Sequence, residues 1–150
     1  MRAVVQRVRE ARVDVDALSV AEIGPGLLVL CAIGASDGDA DRDWLARKIA
    51  HLRIFNDEAG VMNRSLLEIR GEILAVSQFT LYAATRKGAR PSYSAAAPPE
   101  VAAPRFAAFV KALEQELGRT VPAGIFGATM QVTLVNDGPV TIWLDTAVRE

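Results

Sequence analysis

The sequence predicts an α+β domain dominated by strands, and three observations lead there. Its 150 residues fit one domain, large enough to bury roughly two-thirds of the surface exposed by the unfolded chain. Apolar side chains recur at every second position through most of the chain, the signature of strands with one buried face. Only two stretches, around Trp44 to Leu52 and Phe106 to Leu117, change to helical spacing.

The opening residues alternate, with Val4, Gln6 and Val8 against Val5, Arg7 and Arg9, then Val13 and Val15 against Asp14 and Asp16. They predict a long or bent strand, or two strands joined at Glu10-Ala11. Ser19 to Ile23 forms a further short strand, closed by a turn at Gly24-Pro25-Gly26. Leu27 to Ile33 is apolar on both sides, as expected of a strand covered on both faces.

Ser36 to Asp43 is polar, with several residues able to cap a helix. Trp44, Leu45, Ile49 and Leu52 then mark the apolar side of the first helix. His51, the single histidine, falls near its end, where a solvated or dipole-facing imidazole is expected rather than a catalytic one. Phe55 to Gly60 is a loop, and Met62 to Leu67 is a short extended piece or a single turn.

Ile73 to Tyr82 begins as a central strand and changes character at Ser77. Ser77, Gln78 and Thr80 interrupt an apolar run, with Phe79 and Leu81 between them. Polar groups at the end of a buried strand need partners, from nearby backbone or from a substrate. Thr85 to Ser94 is a loop carrying Arg86, Lys87 and Arg90. Such a run is either solvated surface or a place for phosphate.

The second helix begins at Ala97-Pro98-Pro99-Glu100 and turns Phe106, Phe109, Val110, Leu113 and Leu117 inward. Pro104 implies that the helix proper starts near it or kinks there. Gly118 ends the helix, and a Gly-rich segment from Val121 to Ala128 leads to the last strands. Met130, Val132 and Leu134 alternate with Gln131 and Thr133, as do Val140, Ile142 and Leu144 with Thr141 and Trp143. Between them Asn136-Asp137-Gly138-Pro139 reads as an ordinary hairpin turn, or as one that leaves carbonyl oxygens aimed at a ligand.

The totals exclude several functions. A formal net charge of −1 gives no global attraction to a polyanion, so nucleic acid would need a local basic patch. The one cysteine, Cys31, cannot form an internal disulfide and lies in an apolar run, which suits a buried, inert thiol. No stretch is long and apolar enough to span a bilayer, and no signal-peptide pattern opens the chain. A cytoplasmic location is expected, with no membrane partner. One histidine and one cysteine cannot make a usual zinc site, and there is no Gly-rich phosphate loop or nucleophile elbow. No metal and no cofactor are expected. What remains is a site with few titratable groups, which orients a reactive bond and offers backbone donors to an oxyanion.

Ser77-Gln78-Phe79-Thr80-Leu81 and Asn136-Asp137-Gly138-Pro139-Val140-Thr141 together resemble the D-aminoacyl-tRNA deacylases, also called D-tyrosyl-tRNA deacylases. The likeness runs through nearly the whole chain. It includes Val5 to Val8, Phe55-Asn56-Asp57, Met62-Asn63, Lys87-Gly88, Arg90 to Tyr93 and Ala95 to Pro99. The resemblance implies a compact barrel-like β-sheet core with two main helices, a homodimer, and residues 1–150 as one deacylase domain. It implies hydrolysis of the ester of D-aminoacyl-tRNA, with glycine mischarged onto tRNA also cleared. Ser77, Gln78, Phe79 and Thr80 would form the catalytic segment, the Phe79 and Thr80 N–H groups acting as oxyanion donors. Gly138 and Pro139 would be the family's Gly-cisPro element, inserted into the partner's pocket, which displaces the plain hairpin turn. Met130 and Arg7 join them as substrate-binding residues, Arg7 as a brace for the turn, and Arg86, Lys87 and Arg90 would hold tRNA.

Ser77 and Phe79 match the D-specific branch rather than a relative with Pro and Ala there. Ala89 departs from the pattern, standing where a larger or basic residue is common. Either Thr80 or the ribose hydroxyl of the tRNA assists the attack, and the ribose is favoured. A non-catalytic RNA-binding dimer, or a hydrolase of another small activated ester, are the alternatives.

Overall fold

In the computed structural model, which describes residues 1–149, strand β1 (Arg2–Val15) is the spine of the sheet. It runs unbroken through Glu10-Ala11. The chain reverses at Asp16-Ala17, both at positive φ (50° and 62°), into β2 (Leu18–Ile23) and then β3 (Gly26–Ala32). Ala11 pairs with Ile23 and Val8 with Gly26. One antiparallel register therefore continues across Gly24-Pro25. The expected turn there is an interruption in an extended ribbon: proline lacks the donor for a ladder bond, but the pairs on either side hold the direction.

Helix α1 (Asp39–His51) starts where the polar run predicts, the Asp41 carboxylate accepting from the Gly38 N–H at 3.0 Å. Leu52 lies just past its end. Both readings of Met62 to Leu67 hold in part. β4 (Phe55–Asn56) pairs with β5 (Met62–Arg64), and a single turn, α2 (Leu66–Ile69), follows, capped by Ser65 and Glu68.

Strand β6 (Glu72–Ser77) is as buried as a central strand but lies last in the order β2-β1-β3-β6, parallel to β3. Its other side is partly covered by Pro122 to Gly124, which exchange backbone bonds of 3.0 and 2.9 Å with Ala75. Gly26 lies so close to β6 that a Cβ there would stand 2.7 Å from the Glu72 nitrogen.

A single 3₁₀ turn, Phe79–Tyr82, follows β6. Helix α3 (Pro99–Leu117) begins with proline in its first turn and ends at Gly118, at φ 69°. Pro104 sits inside it, so the helix starts at Pro99 rather than near Pro104. Glu100 lies four residues earlier, in the first turn, so the lost bond falls near the helix start.

The last element corrects the expected hairpin. β7 (Gln131–Asp145) is one strand, antiparallel to β1 along its whole length. Gln6 pairs with Thr141 and Val8 with Asn136, so Asp137 to Val140 bulge out opposite the single residue Arg7. Among the described residues β7 pairs in the sheet with β1 alone, leaving its other edge open.

The sheet is curled into a half-barrel with an apolar cluster on each side. Helices α1 and α3 cover one, where Leu45, Ile49, Phe109 and Leu113 meet Val5, Val29 and Ala75. Val8, Val13, Leu28, Leu74 and Val76 form the other. Full burial of a side chain such as Phe109 or Leu45, each at 0% exposure, is worth about 2–3 kcal/mol. β1 contributes to both clusters, and β7 packs Met130-side residues on one and Val140, Ile142 and Leu144 on the other.

Candidate active site

The end of β6 and its 3₁₀ turn open onto a cavity of about 610 Å³. β3 and its continuation supply Cys31 and Ile33, and α3 supplies Ala102 and Phe106. The segment before and in β7 adds Phe126, Met130 and Val132. Ser77, Gln78, Phe79 and Tyr93 also line it. Phe79 is 56% exposed and meets the Tyr93 ring edge to face at 5.1 Å, leaving an aromatic pair beside the opening.

The turn's backbone is informative. Gln78 N–H donates to the Cys31 carbonyl at 2.8 Å, while Leu81 and Ala83 N–H return to Gln78 and Thr80 at 3.2 and 3.0 Å. Among the described residues nothing accepts from the Phe79 or Thr80 N–H. Both belong to the start of a helical turn, where no earlier carbonyl can reach them. The Gln78 side-chain amide donates to the Thr80 hydroxyl. No carboxylate or imidazole of the described residues lines the cavity. Burial pushes the Cys31 thiol far above its ordinary range, so it stays protonated.

Of the residues singled out in the sequence, Ser77, Gln78, Phe79 and Met130 come together around the cavity, with Thr80 adjoining in the turn. Gly138 and Pro139 do not line it. They form the tip of the β7 bulge, joined by a cis peptide, and both are exposed. Arg7 is buried beneath them: its Nε donates to the Asp137 carbonyl at 2.8 Å, its Nη1 to the Ile54 carbonyl, and Nε lies 3.5 Å from the Asp137 carboxylate. The Asn136 side chain closes the bulge, accepting from Val140 N–H at 2.9 Å and donating to Thr141 Oγ1 at 3.3 Å.

Arg86, Lys87 and Arg90 are exposed on the loop leading to Tyr93. None of them makes an ion pair or side-chain hydrogen bond among the described residues. His51 is exposed on α1, 3.5 Å from Glu116, and takes no part in the cavity. No group of three or more His, Cys, Asp or Glu among the described residues could hold a metal ion. No helix of the described residues is long and apolar enough to cross a membrane.

Sequence reasoning missed Asn136 as the clasp of the bulge and Phe126 as part of the cavity. A short polar side chain next to Asp-Gly-Pro is a signal for the first. Nothing local announces Phe126.

Residues 4–145 match the protein family described as D-Tyr-tRNA(Tyr) deacylase. A protein named D-aminoacyl-tRNA deacylase from Chromobacterium violaceum is 62% identical over 146 residues, covering 97% of each chain. Another of that name from Dechloromonas aromatica is 57% identical over 150 residues, covering 100% of both. Among solved structures, one named c-Myc DNA Unwinding Element Binding Protein superposes with a TM-score of 0.89 at 41% identity, covering 97% of this chain and 98% of the other.

Proposed function

The chain belongs to the D-Tyr-tRNA(Tyr) deacylase family, hydrolases of the ester in D-aminoacyl-tRNA, and from that premise we propose how its residues divide the work. The cavity takes the terminal adenosine, with the scissile ester at the Ser77 to Thr80 turn. The Phe79 and Thr80 N–H groups receive the developing oxyanion. What supports this, above all, is that these two donors have no acceptor among the described residues and sit at the edge of an apolar cavity. Donors already aimed at the place where charge develops need no reorganisation during reaction.

The lining holds no carboxylate or imidazole among the described residues, and the Thr80 hydroxyl is engaged by the Gln78 amide. The neighbouring ribose hydroxyl of the tRNA therefore assists attack by water, with the protein orienting the ester. Thr80→Ala is expected to lower the single-turnover rate on D-tyrosyl-tRNA by less than about 10-fold, because the backbone donor remains. Near-complete loss of hydrolysis with intact binding would instead make Thr80 the nucleophile.

The Gly138–Pro139 bulge closes the site of a second copy in a homodimer. Its support is the exposed tip held from below by Arg7, together with the open edge of β7, where Val135 and Trp143 are 43% and 51% exposed. An unpaired edge of this length invites a second chain. Carbonyl oxygens of the bulge hold the substrate's α-ammonium, so an L side chain runs into the backbone while a D side chain points outward. Glycine has no side chain to reject and is also cleared. Specificity thus comes from a clash rather than a contact. Arg86, Lys87 and Arg90, free on the loop ending at Tyr93, hold phosphates of the tRNA acceptor end.

Incubation with D-tyrosyl-tRNA and L-tyrosyl-tRNA side by side tests the reading. Only the first should be cleared. A generic esterase would clear both, and an RNA-binding protein neither.

A further inference from the structure

The 3₁₀ turn bearing Phe79 and Thr80 is tied down at both ends. Its near end is held by the Gln78 N–H on the Cys31 carbonyl of β3. Its far end is held by a residue far away in the sequence, Arg2 on β1. The Arg2 Nη1 donates to the Leu81 carbonyl at 3.1 Å, and its guanidinium carbon lies 4.4 Å from the centre of the Tyr82 ring. Its Nε donates at 2.9 Å to the Asp145 carboxylate, which faces it across the β1–β7 ladder. The Tyr82 hydroxyl in turn lies 3.3 Å from the Asp37 carboxylate, which also accepts from the Gly34 N–H at 2.6 Å. The absence of a side chain at Gly34 makes room: a Cβ there would stand 2.5 Å from the Tyr82 hydroxyl oxygen. Burial and the charges of Asp37 and Asp145 push the Tyr82 phenol upward, so it remains neutral and can donate.

We propose that Arg2 is a positioning residue for ester hydrolysis, gripping Leu81 and Tyr82 so that the Phe79 and Thr80 N–H groups keep their aim. This rests on those two groups being the oxyanion donors. A short 3₁₀ turn has weak bonds of its own, so its orientation is set by what holds its ends. The guanidinium suits the task because one planar group can bond a carboxylate, bond a carbonyl and stack on a ring at once. Arg2 lines no part of the cavity. Its guanidinium also lies 5.7 Å from the Trp143 ring on β7, so the test must isolate its action through the turn.

The test is a double-mutant cycle read by single-turnover and steady-state hydrolysis of D-tyrosyl-tRNA. Arg2→Ala should lower kcat by about 10-fold or more, a misplacement effect, while KM stays within about twofold of the parent. Arg2→Lys keeps a charge and the donors of a single nitrogen but loses the planar fork, and should recover part of the rate. It also carries the test if Arg2→Ala does not fold, as judged by circular dichroism. Phe79→Pro removes one backbone donor at the first residue of the turn, where proline is best tolerated, and the preceding Gln78 (φ −144°, ψ 75°) lies outside the α region that a following proline disfavours. Phe79→Ala is its control, removing the ring and keeping the donor.

The Arg2→Ala penalty should persist in the Phe79→Ala background and shrink by about threefold or more in the Phe79→Pro background. An equal penalty in both, or a rise in KM with kcat unchanged, overturns the role of Arg2. Equal rates for Phe79→Pro and Phe79→Ala are a different failure: the donor assignment itself is then wrong, and the inference falls with it.

Discussion

Alanine in place of Gly138 is expected to reduce kcat/KM for D-tyrosyl-tRNA by about 100-fold, the size of effect that a displacement of roughly 1 Å produces near a reacting centre. Gly138 sits at φ 152°, a conformation L side chains rarely adopt. A Cβ there would lie 2.7 Å from both the nitrogen and a methyl carbon of Val140, and 3.4 Å from Arg7 Nη2. Backbone on one side and a buried guanidinium on the other leave little room to yield. The bulge must therefore move, and with it the carbonyl oxygens proposed to hold the α-ammonium. The ratio of D to L hydrolysis should fall together with the rate. A variant that keeps both would remove the bulge from any part in choosing between hands. The tip is exposed and outside both apolar clusters, and a melting curve separates local displacement from global unfolding.

Arg7→Ala should cost about 2–4 kcal/mol of stability, the combined penalty of orphaned carbonyls and a vacated buried space. Two carbonyls lose their donor, at Ile54 and at Asp137. The ion pair with Asp137 adds little, since that carboxylate is 51% exposed. Urea unfolding measures the loss, and a change under about 1 kcal/mol would show that the bulge does not depend on Arg7. Activity should fall by a factor similar to that of Gly138→Ala, because both changes release the same four residues. Arg7→Lys tests geometry against charge. A single ammonium cannot reach both carbonyls as the guanidinium fork does, so less than half of the lost stability should return.

How far the fold could be read from residues alone depended on what each signal reports. Alternation reports a buried face and needs no partner, so β1, β2 and the two stretches of β7 flanking Asn136 were legible, and β3 was legible from its unbroken apolar run. Turn chemistry misled twice. Gly24-Pro25 and Asn136 to Pro139 carry strong breaker residues, yet the chain keeps its direction through both, with a bulge of Asp137 to Val140 at the second. Breakers show where ladder bonds are lost, and only the distant pairing with β1 decides whether direction is lost too. The true reversal, at Asp16-Ala17, has neither glycine nor proline and rests on two residues at positive φ. For the site, Ser77 to Thr80 stood out because polar groups interrupted an apolar strand. Its apolar partners, such as Phe126, and its anchor Arg2 did not, because each arrives from a remote part of the chain.

β1 threads both apolar clusters, giving Val5 to the helix-covered side and Val8 and Val13 to the other. Neither layer can peel away while the other persists, since both are sewn with the same thread. Melting should accordingly be all-or-none, and the amide protons at the middle of that thread should be the last to trade with solvent.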